Sequence, residues 1–401
     1  MISRRIASAR SLMTEGNGRL LNLLMVIQMT DSFRMGIISP ILALMVRRHG
    51  ISIIEIGLLG LVGTLGWFIF EPLSGLISDR VNKRTMIAFA LISTSTIYLL
   101  YPFATTYNHY LFLAFALSSF SSASSIPSKS LLAELLPTRS RGHAYGRYMA
   151  IVSGSSVIAP FIGGFVSESL GYSLPFYTAA AVGFLSLSAI VLMGRLPETK
   201  PMLHKPQTKI SELLSGDLLS IYIVRGLYFF NFPFRSSFLP IILNESPILR
   251  ATETQIGSYM TVVGFMTAVS QAFLGDMIDR AGSKKVIVAS CGLLSVTYIG
   301  LLALSDITQL LLIGALQGAL QAGTNAGMMV HLMEIDHRGK TGVAMGLYSE
   351  SENIGAIVAS PVFGFAYSSY GPISSLVLIT GALLVTTGMS SILLRKKPSS
   401  T

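Results

Sequence analysis

Charge is what this chain has least of. Only 12% of its 401 residues are Asp, Glu, Lys or Arg, about half the ~25% that coats a soluble domain. Cysteine is nearly absent too: Cys291 stands alone, which excludes an internal disulfide and a cysteine-built metal cage. No Gly-x-Ser-Gly elbow, no His-Glu-x-x-His and no nucleotide-binding glycine loop occurs. An intramembrane hydrolase, a zinc enzyme and direct ATP drive therefore have no residues to build on, and no cofactor or metal is expected.

What is present is apolar. Hydrophobic residues make up 51% of the chain, in runs of about 20 or more, the length a helix needs to cross a ~30 Å hydrocarbon core. The sequence is that of an all-α integral membrane protein embedded in a lipid bilayer. Twelve spans are expected. Six lie near 20–43, 54–78, 85–105, 109–136, 143–167 and 174–195, and six near 218–243, 255–277, 285–304, 308–333, 342–367 and 374–394. Residues 196–217 between them are polar, carry prolines and read as a linker. That gives an N-terminal unit over 1–195 with a short tail at 1–19, and a C-terminal unit over 218–401. The tail holds Arg4, Arg5, Arg10 and Arg19 against Glu15. It resembles a transit peptide in composition, although a cytosolic tail suffices because insertion needs no cleavable segment.

Basic residues orient the spans. Arg47, Arg48 and Arg250 are the only ones on one set of loops, and Arg34, Lys129, Arg225 and Arg235 fall inside spans. All the others lie at the termini, in the linker and on the opposite loops. The positive-inside bias puts both termini and the linker in the cytoplasm. The net charge of +10 is thus a topology signal, and nucleic acid is not an expected partner.

The chain also repeats itself at an offset of 200 residues. Gly75–Arg84 reads GLISDRVNKR and Gly275–Lys284 reads GDMIDRAGSK, while Ile56-Gly57 matches Ile256-Gly257, Pro40 matches Pro240 and Gly171 matches Gly371. Such self-similarity marks a duplicated structure. Twelve spans in two halves with this loop resemble the major facilitator superfamily of secondary transporters, which implies two pseudo-symmetric six-helix bundles. Gly75, Ser78, Asp79, Arg80, Lys83 and Arg84 match the family's loop between helices 2 and 3, and Gly275, Asp279, Arg280 and Lys284 form its weaker copy. Asn82 replaces a usual glycine, and its tolerance of left-handed angles is the expected reason. Asp79 would end helix 2, where the helix dipole disfavours an anion, so it needs a positive partner. The resemblance supplies one at the start of helix 11, near Gly339 to Gly342, in a contact that latches the cytoplasmic side. Gly154, Pro160, Gly163 and Gly164 on helix 5 resemble the family's Gly-Pro-x-x-Gly-Gly pattern, frequent in exporters. Gly355, Pro361 and Gly364 give a degraded copy on helix 11. Both are expected to seal helix contacts. Residues 109–118 lack the arginine that many proton-coupled members carry on helix 4, which argues against standard proton antiport.

Ionisable residues at bilayer depth are costly and usually face a cavity or a partner. Asp31 and Arg34 share a face of helix 1, and Asn231 and Arg235 sit near the matching place in helix 7. They read as a cargo or ion site, or as a self-neutralising pair. Glu71 reads as a proton carrier or as a latch member. Ser118, Ser122, Ser125 and Lys129 form a stripe on helix 4 that either packs or lines the cavity. Glu350 and Glu352 are ~200° apart around helix 11, so one is a site residue and the other a partner for a cation such as Arg225. His331 reads as a packed residue. With both signs of charge inside, a zwitterionic, amphiphilic or anionic solute fits better than a purely hydrophobic one. The expected function is secondary transport by alternating access at the cell membrane, by a monomer, with protons or another ion as coupling partner. Export, import and a non-transporting sensor all remain open.

Overall fold

The computed structural model describes residues 18–78, 81–135, 148, 151–193, 216–335 and 341–394, and every element among them is helical. In chain order these are α1 (Gly18–Ile38, continued by Ile41–Arg48), α2 (Ile53–Ser78), α3 (Lys83–Leu100), α4 (Tyr107–Leu135), α5 (Ala159–Leu170) and α6 (Ser173–Leu192). The second set is α7 (Gly216–Tyr228, continued by Asn231–Pro233, Phe234–Phe238 and Leu239–Glu245), α8 (Glu253–Ala281), α9 (Ser283–Gly300), α10 (Ile307–Glu334), α11 (Thr341–Tyr370) and α12 (Pro372–Leu393). In a bilayer only a helix satisfies its own backbone, which is why such apolar sequence takes this form.

Among the described residues, eight helical stretches are long and apolar enough to cross a membrane, or nine if the bent α8 counts as one. The stretches at 218–243, 308–333 and 342–367 stand outside that set. The first is interrupted, α10 carries Gln309, Gln317, Gln321 and Asn325, and α11 carries Glu350 and Glu352. Two spans expected to be continuous are broken at proline. α1 stops at Ser39 and resumes after Pro40, and α5 restarts at Ala159-Pro160 after a bend at Ser156–Ile158. Proline lacks the N–H that would continue the ladder and clashes with the turn before it.

The duplication is visible in the packing. α1 lies on α5 and α6, α3 on α4 and α6, and α2 on α4. The second half repeats each pair: α7 on α11 and α12, α9 on α10 and α12, α8 on α10. The halves meet through α2 against α11 and α5 against α8, which are themselves symmetry mates. Gly171 and Gly371, paired by the repeat, end α5 and α11 with φ of +96° and +81°, angles that favour glycine. Phe112, Leu185, Phe273 and Ile392 stand exposed on the outside, as a lipid-facing belt requires and a water-facing one rarely tolerates.

Candidate functional site

In the first half, Asp31 and Arg34 form an ion pair one turn apart (Nη1–Oδ1 2.9 Å). Arg34 Nη2 also donates to Thr94 Oγ1 at 3.0 Å, and its guanidinium lies 5.0 Å from the centre of the Tyr98 ring. A Cβ on Gly183 would sit 2.6 Å from the guanidinium carbon, so α6 needs glycine there to admit it. Arg34 is only 1% exposed: it is a core cation. Asp31 accepts a 3.4 Å bond from Ser124 and, with Ser125 and Trp67, lines a small cavity of about 130 Å³.

The second half does not copy this. At the 200-residue offset Arg34 corresponds to Phe234, which is fully buried and packs edge-on against Tyr298, the counterpart of Tyr98 (centroids 5.4 Å apart). Asn231, the counterpart of Asp31, accepts the Tyr298 hydroxyl. Arg235 takes the register of Met35 on a five-residue π-helical segment, Phe234–Phe238. Its Nη1 donates to Gln321 Oε1 at 2.6 Å. It borders a cavity of about 510 Å³ between the halves, walled by Met35, Val157, Tyr259, Thr267, Gln321 and Asn325, among others. The matched polar pairs expected on α1 and α7 are therefore not equivalent: one arginine faces its own core and the other faces the shared cavity.

Lys129 and Arg225 each pair with an acid. Lys129 Nζ meets Glu71 Oε1 at 3.2 Å, whereas Glu350 accepts from the Asn353 amide at 3.2 Å. Arg225 holds Glu352 at 2.6 Å and Asn325 at 2.7 Å beneath the rings of Tyr348 and Phe229. Glu352 is thus the arginine's partner, and Glu350 bonds to Asn353 on its own helix. The α4 stripe divides: Ser122 is fully buried and bonded to Ser74 at 3.1 Å, Ser118 packs against Gly66, and Ser125 reaches the cavity beside Asp31. His331 is buried against Ser283 at 2.9 Å.

Of the loop motif, Asp79 and Arg80 lie outside the described residues, as do 336–340, so the latch contact is not on view. Ser78 bonds to the Gly75 carbonyl at 2.8 Å. Lys83 is buried, and Arg84 donates to the Ile190 carbonyl at 2.9 Å, a cation at the C-terminal end of α6. Asn82 is not left-handed: φ is −59°, and its side chain caps α3 by accepting from Arg84 N at 2.9 Å. The expected reason for its presence is thereby replaced by N-capping. In the second copy, Gly275, Asp279 and Arg280 are exposed and Lys284 half-buried.

The helix-5 and helix-11 patterns make the closest approaches between the halves. Across the halves, a Cβ on Gly164 would strike the backbone of Glu253 and Thr254, and one on Gly57 would lie 3.0 Å from Gly364 Cα; within the first half, one on Gly163 would strike the backbone of Ile37. Pro160 and Pro361 sit in the helices that carry these glycines. The approach loosens along α8. A Cβ on Gly257 would collide with the Pro160 backbone, one on Gly264 would find Val157 at 3.9 Å, and one on Gly275 nothing within 4 Å. Gly154 and Gly346 also meet nothing. The halves are tight at the end bearing Arg47 and diverge toward the end bearing Lys83.

That tight end holds contacts absent from the sequence expectations. Arg47 binds Glu245 at 2.6 Å and Arg48 binds Glu253 at 2.8 Å, each pair joining the two halves. Tyr172 also donates to Glu253 and lies under the Arg48 guanidinium at 4.4 Å, while Glu168 accepts from Thr254 N at 3.0 Å. Their signal was available: Arg47 and Arg48 are two of just three basic residues on those loops, and Glu245 and Glu253 flank the corresponding loop of the other half.

The profile described as Major Facilitator Superfamily matches residues 24–234 and 221–401. An MFS-type transporter of Methanocaldococcus jannaschii is 25% identical over 84% of this chain and 88% of its own. The class H tetracycline resistance protein of Pasteurella multocida is 23% identical over 90% and 92%. The quinolone resistance protein NorA of Staphylococcus aureus is 25% identical over 68% and 70%. Among solved structures, the nucleoside transporter NupG shares the fold with a TM-score of 0.78 at 14% identity, over 94% of this chain and 100% of NupG.

Proposed function

Because this chain belongs to the Major Facilitator Superfamily, a family of multi-pass membrane transporters, we propose that it moves a small organic solute across the cell membrane by alternating access. The observation that carries this reading is the cavity of about 510 Å³ with walls from both halves, tight at one end and diverging at the other. Rocking two lobes about such a site is how a duplicated transporter exposes it alternately. We assign twelve spans, lobes over 1–195 and 218–401 joined by 196–217, and both termini to the cytoplasm. The Arg47 end is then external, and this state opens inward.

Export is the direction we favour, on two supports: the Pro160-Gly163-Gly164 pattern and relatives named for quinolone and tetracycline resistance. Coupling to an ion gradient, protons first, would use Asp31 or Glu71. The test is flux through the purified protein in liposomes and in everted vesicles, with a quinolone and a tetracycline as first solutes. Gradient-driven accumulation in everted vesicles establishes export. Uptake in right-side-out vesicles establishes import, and binding without flux in either establishes a sensor. Asp31→Asn or Glu71→Gln should abolish pH-driven movement yet spare solute exchange if the altered group carries the proton; equal loss of both activities assigns it to binding or folding.

A further inference from the structure

The four interior cations are not alike. Arg34 is held by Asp31, Lys129 by Glu71 and Arg225 by Glu352. Among the described residues Arg235 has no carboxylate within salt-bridge distance; its partner is the neutral Gln321. Arginine offers only donors, so the Gln321 oxygen must face it and the Gln321 amide nitrogen is left over. That nitrogen is buried and has no partner, although Gln321 is only 4% exposed and borders the cavity. A guanidinium with spare N–H groups beside a buried, unsatisfied NH₂ is a site made of donors alone. A buried donor without an acceptor is costly to keep, and π-helical turns of the kind that presents Arg235 often mark functional positions.

Next to it lies a second cavity of about 280 Å³, lined chiefly by apolar side chains including Leu59, Trp67, Tyr101 and Leu117. The two cavities share Met35, Ser39, Phe232 and Ser236. Phe232 and Ser236 flank Arg235 on its own helix, so a molecule bound through the arginine would find an apolar chamber within reach.

We propose that the cargo is an amphiphilic organic anion, its anionic group seated on Arg235 and Gln321 and its apolar body in the chamber around Trp67. This rests on the transport reading for the word cargo, but the binding claim stands apart and is tested apart. The probes are three bodies of one shape: 2-naphthoate, 2-naphthylmethanol and 2-naphthylmethylammonium. They are titrated against the purified full-length protein, with thermal stabilisation as the readout, since a ligand of the native state stabilises it by mass action. The expected order is naphthoate above the alcohol, with the ammonium weakest. Arg235→Gln should weaken naphthoate by roughly 10- to 100-fold, as loss of a charge-assisted hydrogen bond implies, and leave the alcohol unchanged. Gln321→Glu keeps the arginine paired and the fold charge-balanced, and should also displace naphthoate by placing a carboxylate in its seat. Preference for the ammonium, or naphthoate affinity unchanged in Gln321→Glu, overturns the proposal. Anion-selective binding without liposome flux would sustain the site and overturn the transport reading; flux of solutes indifferent to Arg235→Gln would do the reverse.

Discussion

Arg34 and Arg235 show how one residue type serves two ends. Arg34 is enclosed by Asp31, Thr94 and Tyr98, so its charge is a structural commitment of the first half. Breaking one side of a buried pair leaves an uncompensated ion. Asp31→Asn should cost roughly 3 kcal/mol, the low end of the usual range because the Asp31 side chain is 28% exposed. Adding Arg34→Met to that variant should restore most of the loss. Thermal unfolding in detergent decides it: a double variant no more stable than the single one means the charge was not the cause. The sequence marked Asp31 and Arg34 as a pair because a three-residue spacing puts them on one helix face. It also offered Arg225 a partner in Glu350 or Glu352. It did not reveal which arginine faces the cavity. That depends on the π turn at Phe234–Phe238, which changes the angular register of α7 with no reliable mark in composition.

At the scale of elements, glycine spacing turns out to gauge the distance between helices. Gly164 on α5 is pressed to the α8 backbone, whereas Gly275 on α8 faces open space. Gly164→Leu should therefore force the lobes apart at the Arg47 end, and Gly275→Leu should be tolerated. Labelling by a membrane-impermeant thiol reagent of a cysteine at Thr267, in a Cys291→Ser background, would report the difference. Equal labelling in both variants would contradict the packing described above. The close helix approach at Gly164 and Gly364 was legible because small residues at helical spacing permit it. The break at Pro40 was not foreseen, because hydropathy averages over a window and passes across a kink.

For the whole molecule, the two inter-half ion pairs at the Arg47 end bias the state observed. Exposed pairs such as Arg47–Glu245 are worth about 0–1 kcal/mol each, too little to lock a protein but enough to tilt a two-state equilibrium. Glu253 is 5% exposed and carries Arg48 and Tyr172 together, so it should matter more. Glu253→Gln is expected to raise labelling at Thr267→Cys from the Arg47 side, and Arg47→Ala to do so more weakly. The reverse ranking would place the closing energy on the exposed pair. The sequence by itself determined the membrane class, the duplication and the loop motifs, because hydrophobic length, charge bias and a 200-residue echo are one-dimensional signals. Only the tertiary structure decided which charges cancel and which one faces the cavity. Pairing joins residues remote along the chain: Arg225 and Glu352 meet when α7 packs on α11, and Arg48 and Glu253 meet when the two halves pack.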